Sequence, residues 1–273
     1  MSKLIIEKPA FSALSQTDAW EKLKQFTDAR IALGRAGCSI PSQPMLEFQL
    51  AHAQARDAVF HSLDINQLMQ QLSQENLPSI HVQSQASIKE VFLKRPDLGR
   101  LLDASSKEKL MSHRLHHSNH YDVCIVMGDG LSAQAIEENA LKMTMSLQSH
   151  FKNLNWSLAP IIIATGSRVA LGDQIAEILK TPLLIMMIGE RPGLSSPDSM
   201  GIYFTWNAHT GCLDAERNCI SNIRPAGLSI PIATQRLIEL MKKSKELQLS
   251  GIYLKDEHQT EMIDSHQSLT SIF

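Results

Sequence analysis

The chain is short of several things that would narrow its chemistry at once. Its 273 residues carry a formal net charge of -2, with 26 Lys and Arg against 28 Asp and Glu. That near-balance leaves no electrostatic footprint for a nucleic acid. Only four cysteines occur, Cys38, Cys124, Cys212 and Cys219, and no two form a Cys-x-x-Cys pair. Neither a disulfide framework nor a structural zinc site is expected from so few thiols in so long a chain. Long hydrophobic runs are missing as well. The longest, Leu158–Ala164 and Leu183–Ile188, fall far short of the roughly 20 residues a spanning helix needs. The apolar run near the N-terminus breaks after Leu4-Ile5-Ile6, too early for a secretory signal. These absences predict a soluble, intracellular protein. Hydrophobic residues still make up 43% of the chain, enough for a substantial core.

The most informative stretch is Leu183–Gly193, Leu-Leu-Ile-Met-Met-Ile-Gly-Glu-Arg-Pro-Gly. A segment with no polar face must be covered on both sides, as a central parallel strand is covered by helices. Ligands of open α/β sheets sit outside the carboxyl ends of the strands, so Gly189–Gly193 reads as part of a ligand-facing rim. Around this strand, alternating patterns predict strand Asp122–Met127, helix Leu131–Gln148 capped by Ser132, strand Leu158–Thr165, helix Gly172–Lys180, strand Ile202–Asn207 and helix Pro231–Gln248. That alternation predicts an α/β domain with a Rossmann-like, mostly parallel sheet flanked by helices. Upstream, helices are expected over residues 16–35 (capped by Thr17), Pro44–Leu63 and Asp64–Glu75, then a Pro/Gly turn at Arg95–Arg100 and a helix to about His116. Residues 1–100 thus read as an all-helical N-terminal arm, 101–255 as the α/β domain and 256–273 as a polar, flexible tail.

Four places could carry chemistry. Gly128-Asp129-Gly130-Leu131-Ser132-Ala133 fits the Gly-x-Gly-x-x-Ala dinucleotide fingerprint in its strand-to-helix context. However, no acidic residue lies between Glu138 and Asp173 to meet a ribose, and Asp129 would repel a phosphate, which favours a plain tight turn. His113, His116, His117 and His120 could share a helix face and ligate a metal, but no carboxylate or cysteine lies among them, which favours a solvated helix end. Gly166-Ser167-Arg168-Val169 and Glu190-Arg191 both occupy carboxyl-end loops. For the latter, a surface ion pair and a ligand contact weigh about equally. Arg217–Gly227 reads as a loop of small polar groups, with Cys219 a ligand-contacting or buried thiol rather than a nucleophile, because no histidine lies near it in sequence. From the residues alone, a free-standing domain binding a nucleotide or other small polar ligand remains open.

Several motifs in fixed order go further. Thr27–Gly37 (Thr-Asp-Ala-Arg-Ile-Ala-Leu-Gly-Arg-Ala-Gly), Arg95–Arg100, Asp129–Ser132, Asp173-Gln174-Ile175, Gly189–Leu194 (Gly-Glu-Arg-Pro-Gly-Leu) and Cys219–Ile223 (Cys-Ile-Ser-Asn-Ile) together closely resemble the light chain of ethanolamine ammonia-lyase, from about Thr27 to Leu254. The resemblance implies a subunit of an adenosylcobalamin-dependent lyase that converts ethanolamine to acetaldehyde and ammonia. It also implies a TIM-barrel heavy chain as partner, carrying the substrate site, which the N-terminal arm would contact. The light chain would enclose the base-on cofactor and hold no catalytic or metal-ligating residue of its own. Transferred onto this sequence, the cobalamin contacts fall at Val169, Glu190 and Cys219. The Asp-x-His-x-x-Gly signature of other B12 domains is absent, in keeping with base-on binding. The resemblance implies a cytoplasmic location or packaging in a bacterial microcompartment. Family light chains often carry a longer N-terminal extension for that packaging, and the stretch before Thr27 is short.

Overall fold

A computed structural model describes residues 18–117 and 120–255 of the chain. The backbone divides into a small unit, reaching to Asp57 and including Gly193–Ser195, and a large unit that begins at Ala58.

The small unit departs most from expectation. Of the helix expected over residues 16–35, only a 3-10 turn at Glu21–Phe26 forms, and the Thr17 cap lies outside the described residues. Local polar groups and left-handed backbone oppose continuation. The Thr27 hydroxyl accepts from Ala29 N at 3.1 Å. Ala32, Gly34 and Gly37 then take φ of 50°, 71° and 61°. Arg30 turns to the 193–195 segment, donating to Leu194 O at 3.3 Å and Ser195 Oγ at 3.5 Å. Helix α1 follows as Ser42–Phe60, with Pro44 inside its first turn.

In the large unit, α2 (Ile65–Gln74) is capped by Asp64, whose carboxylate accepts from Gln67 N at 2.9 Å. Strand β1 (Ser79–Gln83) comes next, so the 1–100 stretch is not all-helical as the sequence suggested. The elements then run α3 (Lys89–Lys94), α4 (Ala104–His116), β2 (Val123–Gly128), α5 (Ala133–Leu154), β3 (Ile161–Thr165), α6 (Leu171–Leu179), β4 (Leu183–Gly189), β5 (Met200–Trp206), β6 (Arg217–Ile223) and α7 (Ile230–Leu247). Ser132 caps α5 as expected, its hydroxyl accepting from Ala135 N at 3.2 Å. The segment expected as a polar loop from Arg217 is instead strand β6. The expected polar tail, 256–273, lies outside the described residues.

Six strands form one sheet in the order β1-β3-β2-β4-β5-β6. β1, β3, β2 and β4 are parallel, β5 is antiparallel to β4, and β6 is antiparallel to β5. It is a mixed, mostly parallel α/β sheet with helices on both faces. β4 shows why both faces are covered. Leu183, Ile185 and Met187 pack with α2, α5 and α7, while Leu184, Met186 and Ile188 pack with α4 and α6. All seven β4 residues are buried. From β2 the chain passes through α5 on one face to β3. From β3 it returns through α6 on the other face to β4, on the far side of β2. The strand order therefore reverses at β2, and a crevice opens there above the carboxyl ends.

Candidate functional site

The rim of that crevice is assembled from the loops after β2, β3 and β4. Asp129, the first residue after β2, accepts from Gly166 N at 2.9 Å and from Ser167 N and Oγ at 2.9 and 3.0 Å, tying the post-β3 loop to the post-β2 loop. Leu131 N donates to Gly189 O at 3.0 Å, tying the post-β2 loop to the end of β4. Gly130 sits at φ +54°, and a Cβ there would lie 2.3 Å from Gly189 O. The Gly-Asp-Gly motif is thus a tight turn whose carboxylate is spent inside the protein. Lys89 reaches over the same turn and donates to Gly130 O at 3.1 Å. Burial pulls its ammonium pKa down, against the opposing charge of Asp129.

Between these loops and β5 lies a cavity of about 270 Å³. Leu131, Val169, Ile188 and Tyr203 give it apolar walls, and Arg168, Glu190 and Arg191 contribute polar groups. The Arg168 guanidinium stacks 4.2 Å over the Phe92 ring, and its Nε is buried without a partner among the described residues. A second, more polar cavity of about 290 Å³ adjoins Asp129, with His81, Gln83 and Lys89 among its lining.

The structure brings two of the three sequence-nominated residues, Val169 and Glu190, onto one cavity. Glu190 makes no ion pair with Arg191 among the described residues. Its Oε2 accepts from Ser199 Oγ at 2.6 Å, and both carboxylate oxygens face Asn222 N at 3.4 and 3.3 Å. Cys219 stands one strand away on β6, exposed, directly across from Tyr203 on β5. Burial, with Cys219 and Glu190 nearby, pushes the Tyr203 phenol up to about 12. Desolvation, reinforced by the Glu190 charge, likewise pushes the Cys219 thiol up. A protonated thiol of this kind suits a packing or hydrogen-bonding role better than nucleophilic attack. The histidine cluster lies at the opposite, amino end of the sheet. His113 and His117 stack at 4.4 Å, and the Nδ1 atoms of His116 and His117 lie 2.7 and 3.1 Å from carbonyls of the preceding turn. Among the described residues no cluster of three metal-ligating side chains occurs, and no helix is long and apolar enough to cross a membrane.

Sequence reasoning missed Tyr203 and Ser199. Tyr203 could have been found from the alternation along β5, which sets Tyr203 on the face opposite Ile202 and Phe204. Ser199 gives no such signal.

A model of the family "Ethanolamine ammonia-lyase light chain" matches residues 17–255, a span that contains the whole sheet and its rim. The chain belongs to this family. Ethanolamine ammonia-lyase small subunits from Pseudomonas aeruginosa (strain LESB58) and Pseudomonas fluorescens (strain Pf0-1) are each 44% identical to it, over 259 and 260 residues. The alignments cover 95% of this chain with 95% and 94% of those relatives. The Pseudomonas putida (strain W619) small subunit is 44% identical over 249 residues, 91% of this chain and 92% of its own. As an ethanolamine ammonia-lyase light chain, the molecule presents the Gly-Glu-Arg-Pro-Gly block where β4 meets the cavity.

Proposed function

We propose that this chain is the small subunit of an adenosylcobalamin-dependent ethanolamine ammonia-lyase, and that its carboxyl-end rim covers the cofactor against a heavy chain carrying the substrate site. The observation that carries the reading is the shared cavity of Val169 and Glu190, within a chain whose family match spans nearly all of it. The chemistry of the rim fits a corrin, a broad apolar macrocycle fringed with amides. Leu131, Val169, Ile188 and the Tyr203 ring offer apolar contact, and the Glu190 carboxylate accepts amide hydrogens. Gly130 and Gly189 let the post-β2 loop pack directly on the end of β4, which fixes the floor of the rim.

Bound adenosylcobalamin would supply the radical chemistry by homolysis of its cobalt–carbon bond. The residues of this chain would hold and orient it and keep water away. Val169 packs against the ring, Glu190 fixes a peripheral amide or hydroxyl, and Cys219, kept as a thiol beside Tyr203, adds a contact from β6. No residue here would move a proton in the reaction itself.

Co-purification with a candidate heavy chain, followed by ethanolamine turnover with added adenosylcobalamin, tests the reading. Acetaldehyde should form only from the pair. A chain that ignores both heavy chain and cobalamin would instead be a free-standing small-ligand binder. Within the assembly, Glu190→Gln should weaken cobalamin binding by about tenfold or more, the loss expected for a charge-assisted hydrogen bond. Unchanged affinity would remove Glu190 from the site.

A further inference from the structure

The way Glu190 is held is more elaborate than a strand end requires. Its backbone N donates to Ser199 O at 2.9 Å, extending the β4–β5 ladder by one rung. Its side chain then folds back over β5. There Gly201 leaves room for it, since a Cβ at Gly201 would lie 2.7 Å from Oε1 and 3.3 Å from Cγ. Ser199, only 5% exposed, gives Oε2 its short 2.6 Å hydrogen bond. On the other side β6 is irregular. Met200 pairs with Ile223 and Ile202 with Ile220, so two residues, Ser221 and Asn222, stand opposite the single Gly201. This is a bulge, and bulges beside binding sites re-aim groups out of the ladder. Asn222 takes φ 60°, and its N–H is directed at the Glu190 carboxylate. A hydroxyl from the residue before β5, a missing side chain on β5 and a bulged amide on β6 converge on one acid.

We infer that Ser199, Gly201 and the Asn222 amide form a socket that pre-orients the Glu190 carboxylate toward the cofactor, with Ser199 as its positioning residue. The inference rests on the cobalamin-binding reading of Glu190 given above. It assigns Ser199 no contact with the ligand. Ser199 acts through Glu190, restricting the carboxylate to one arrangement, so that binding need not pay to order a flexible acid. A hydroxyl that merely closed the end of the sheet would have the same geometry, but it would not act through Glu190. The two roles differ in a double-mutant cycle.

The experiment measures equilibrium binding of cyanocobalamin, by dialysis and corrin absorbance, to the assembled heavy-chain complex carrying Ser199→Ala, Glu190→Gln or both. Ser199→Ala should weaken binding about tenfold, and in the Glu190→Gln background it should weaken it no further. Gly201→Ala keeps every charge and hydroxyl but displaces the carboxylate. It should lose affinity comparably, and it serves as the readout should Ser199→Ala fail to assemble. Wild-type affinity in either socket variant, while Glu190→Gln is weakened, would overturn the socket and leave the light-chain reading standing. A Ser199→Ala loss that adds in full to that of Glu190→Gln would overturn it in favour of a structural role. Glu190→Gln binding as tightly as wild type would overturn the reading of Glu190 and the socket with it.

Discussion

Arg217 is buried on the edge strand β6, and a buried arginine there must find an acid. It meets Asp173, in the first turn of α6, through two hydrogen bonds of 2.6 and 2.8 Å, with each side chain only 2% exposed. Removing one partner of such a pair leaves a stranded charge, which costs far more than the pair itself contributes. Asp173→Ala should therefore destabilise the chain by about 3–5 kcal/mol, read from the urea midpoint, whereas an exposed acid such as Asp97 should cost under about 1 kcal/mol. Cys219 gives a test of a different kind. Its thiol is exposed yet held above its ordinary range by desolvation and by Glu190. At about pH 8 the free chain should be alkylated there more slowly than a short cysteine peptide, with a rate midpoint at higher pH. Mass-mapped labelling with iodoacetamide would show it. A rate equal to the peptide's would mean the thiolate is not disfavoured.

At the scale of elements, what the sequence disclosed follows from burial. β4 was legible because six large apolar residues in a row have only one use, and α5 because a serine cap precedes its periodic face. β1 and β6 were not. β1 pairs on one side only, and of its five residues Val82 alone is buried. β6 buries Arg217, Ile220 and Ile223, a spacing of three that matches no strand period: Arg217 lies on the face opposite Ile220, and the bulge returns Ile223 to the face of Ile220. For the candidate site, the sequence placed Val169 and Glu190 on carboxyl-end loops, and both line one cavity, whereas Cys219 was nominated as a cobalamin contact by the resemblance alone. The partners of Glu190 were not, because a serine nine positions away on a polar connection carries no pattern. A tight joint links the end of β4 to the start of α5. A Cβ on Gly189 would fall 1.9 Å from Ser132 O. Gly189→Ala should cost about 3 kcal/mol by urea denaturation and loosen the rim together with the α5 cap. A neutral substitution would show that the two elements can slide apart.

For the whole molecule, a light chain should look incomplete alone. Helix α1 exposes Leu46 and Leu50 at 64% and 60%, and Leu115 on α4 is 82% exposed. A heavy chain that packed on these helices would take those side chains out of water. The isolated chain should bind a hydrophobic dye such as anilinonaphthalene sulfonate, and the signal should fall when the heavy chain is added. Dye binding that the heavy chain leaves untouched would place these residues outside the interface. The carboxylate of Asp129 has a thermodynamic consequence of its own. Because it already clasps Gly166 and Ser167, two of the three loops stand in place before any ligand arrives. With cobalamin as the proposed ligand, a calorimetric titration of the assembled protein with cyanocobalamin should then show a heat capacity change set by the apolar surface covered, without the larger contribution of a segment folding around its ligand. Breaking that clasp with Asp129→Ala should make the heat capacity change more negative, as ordering of the loops is moved from the folding of the chain to the moment of binding.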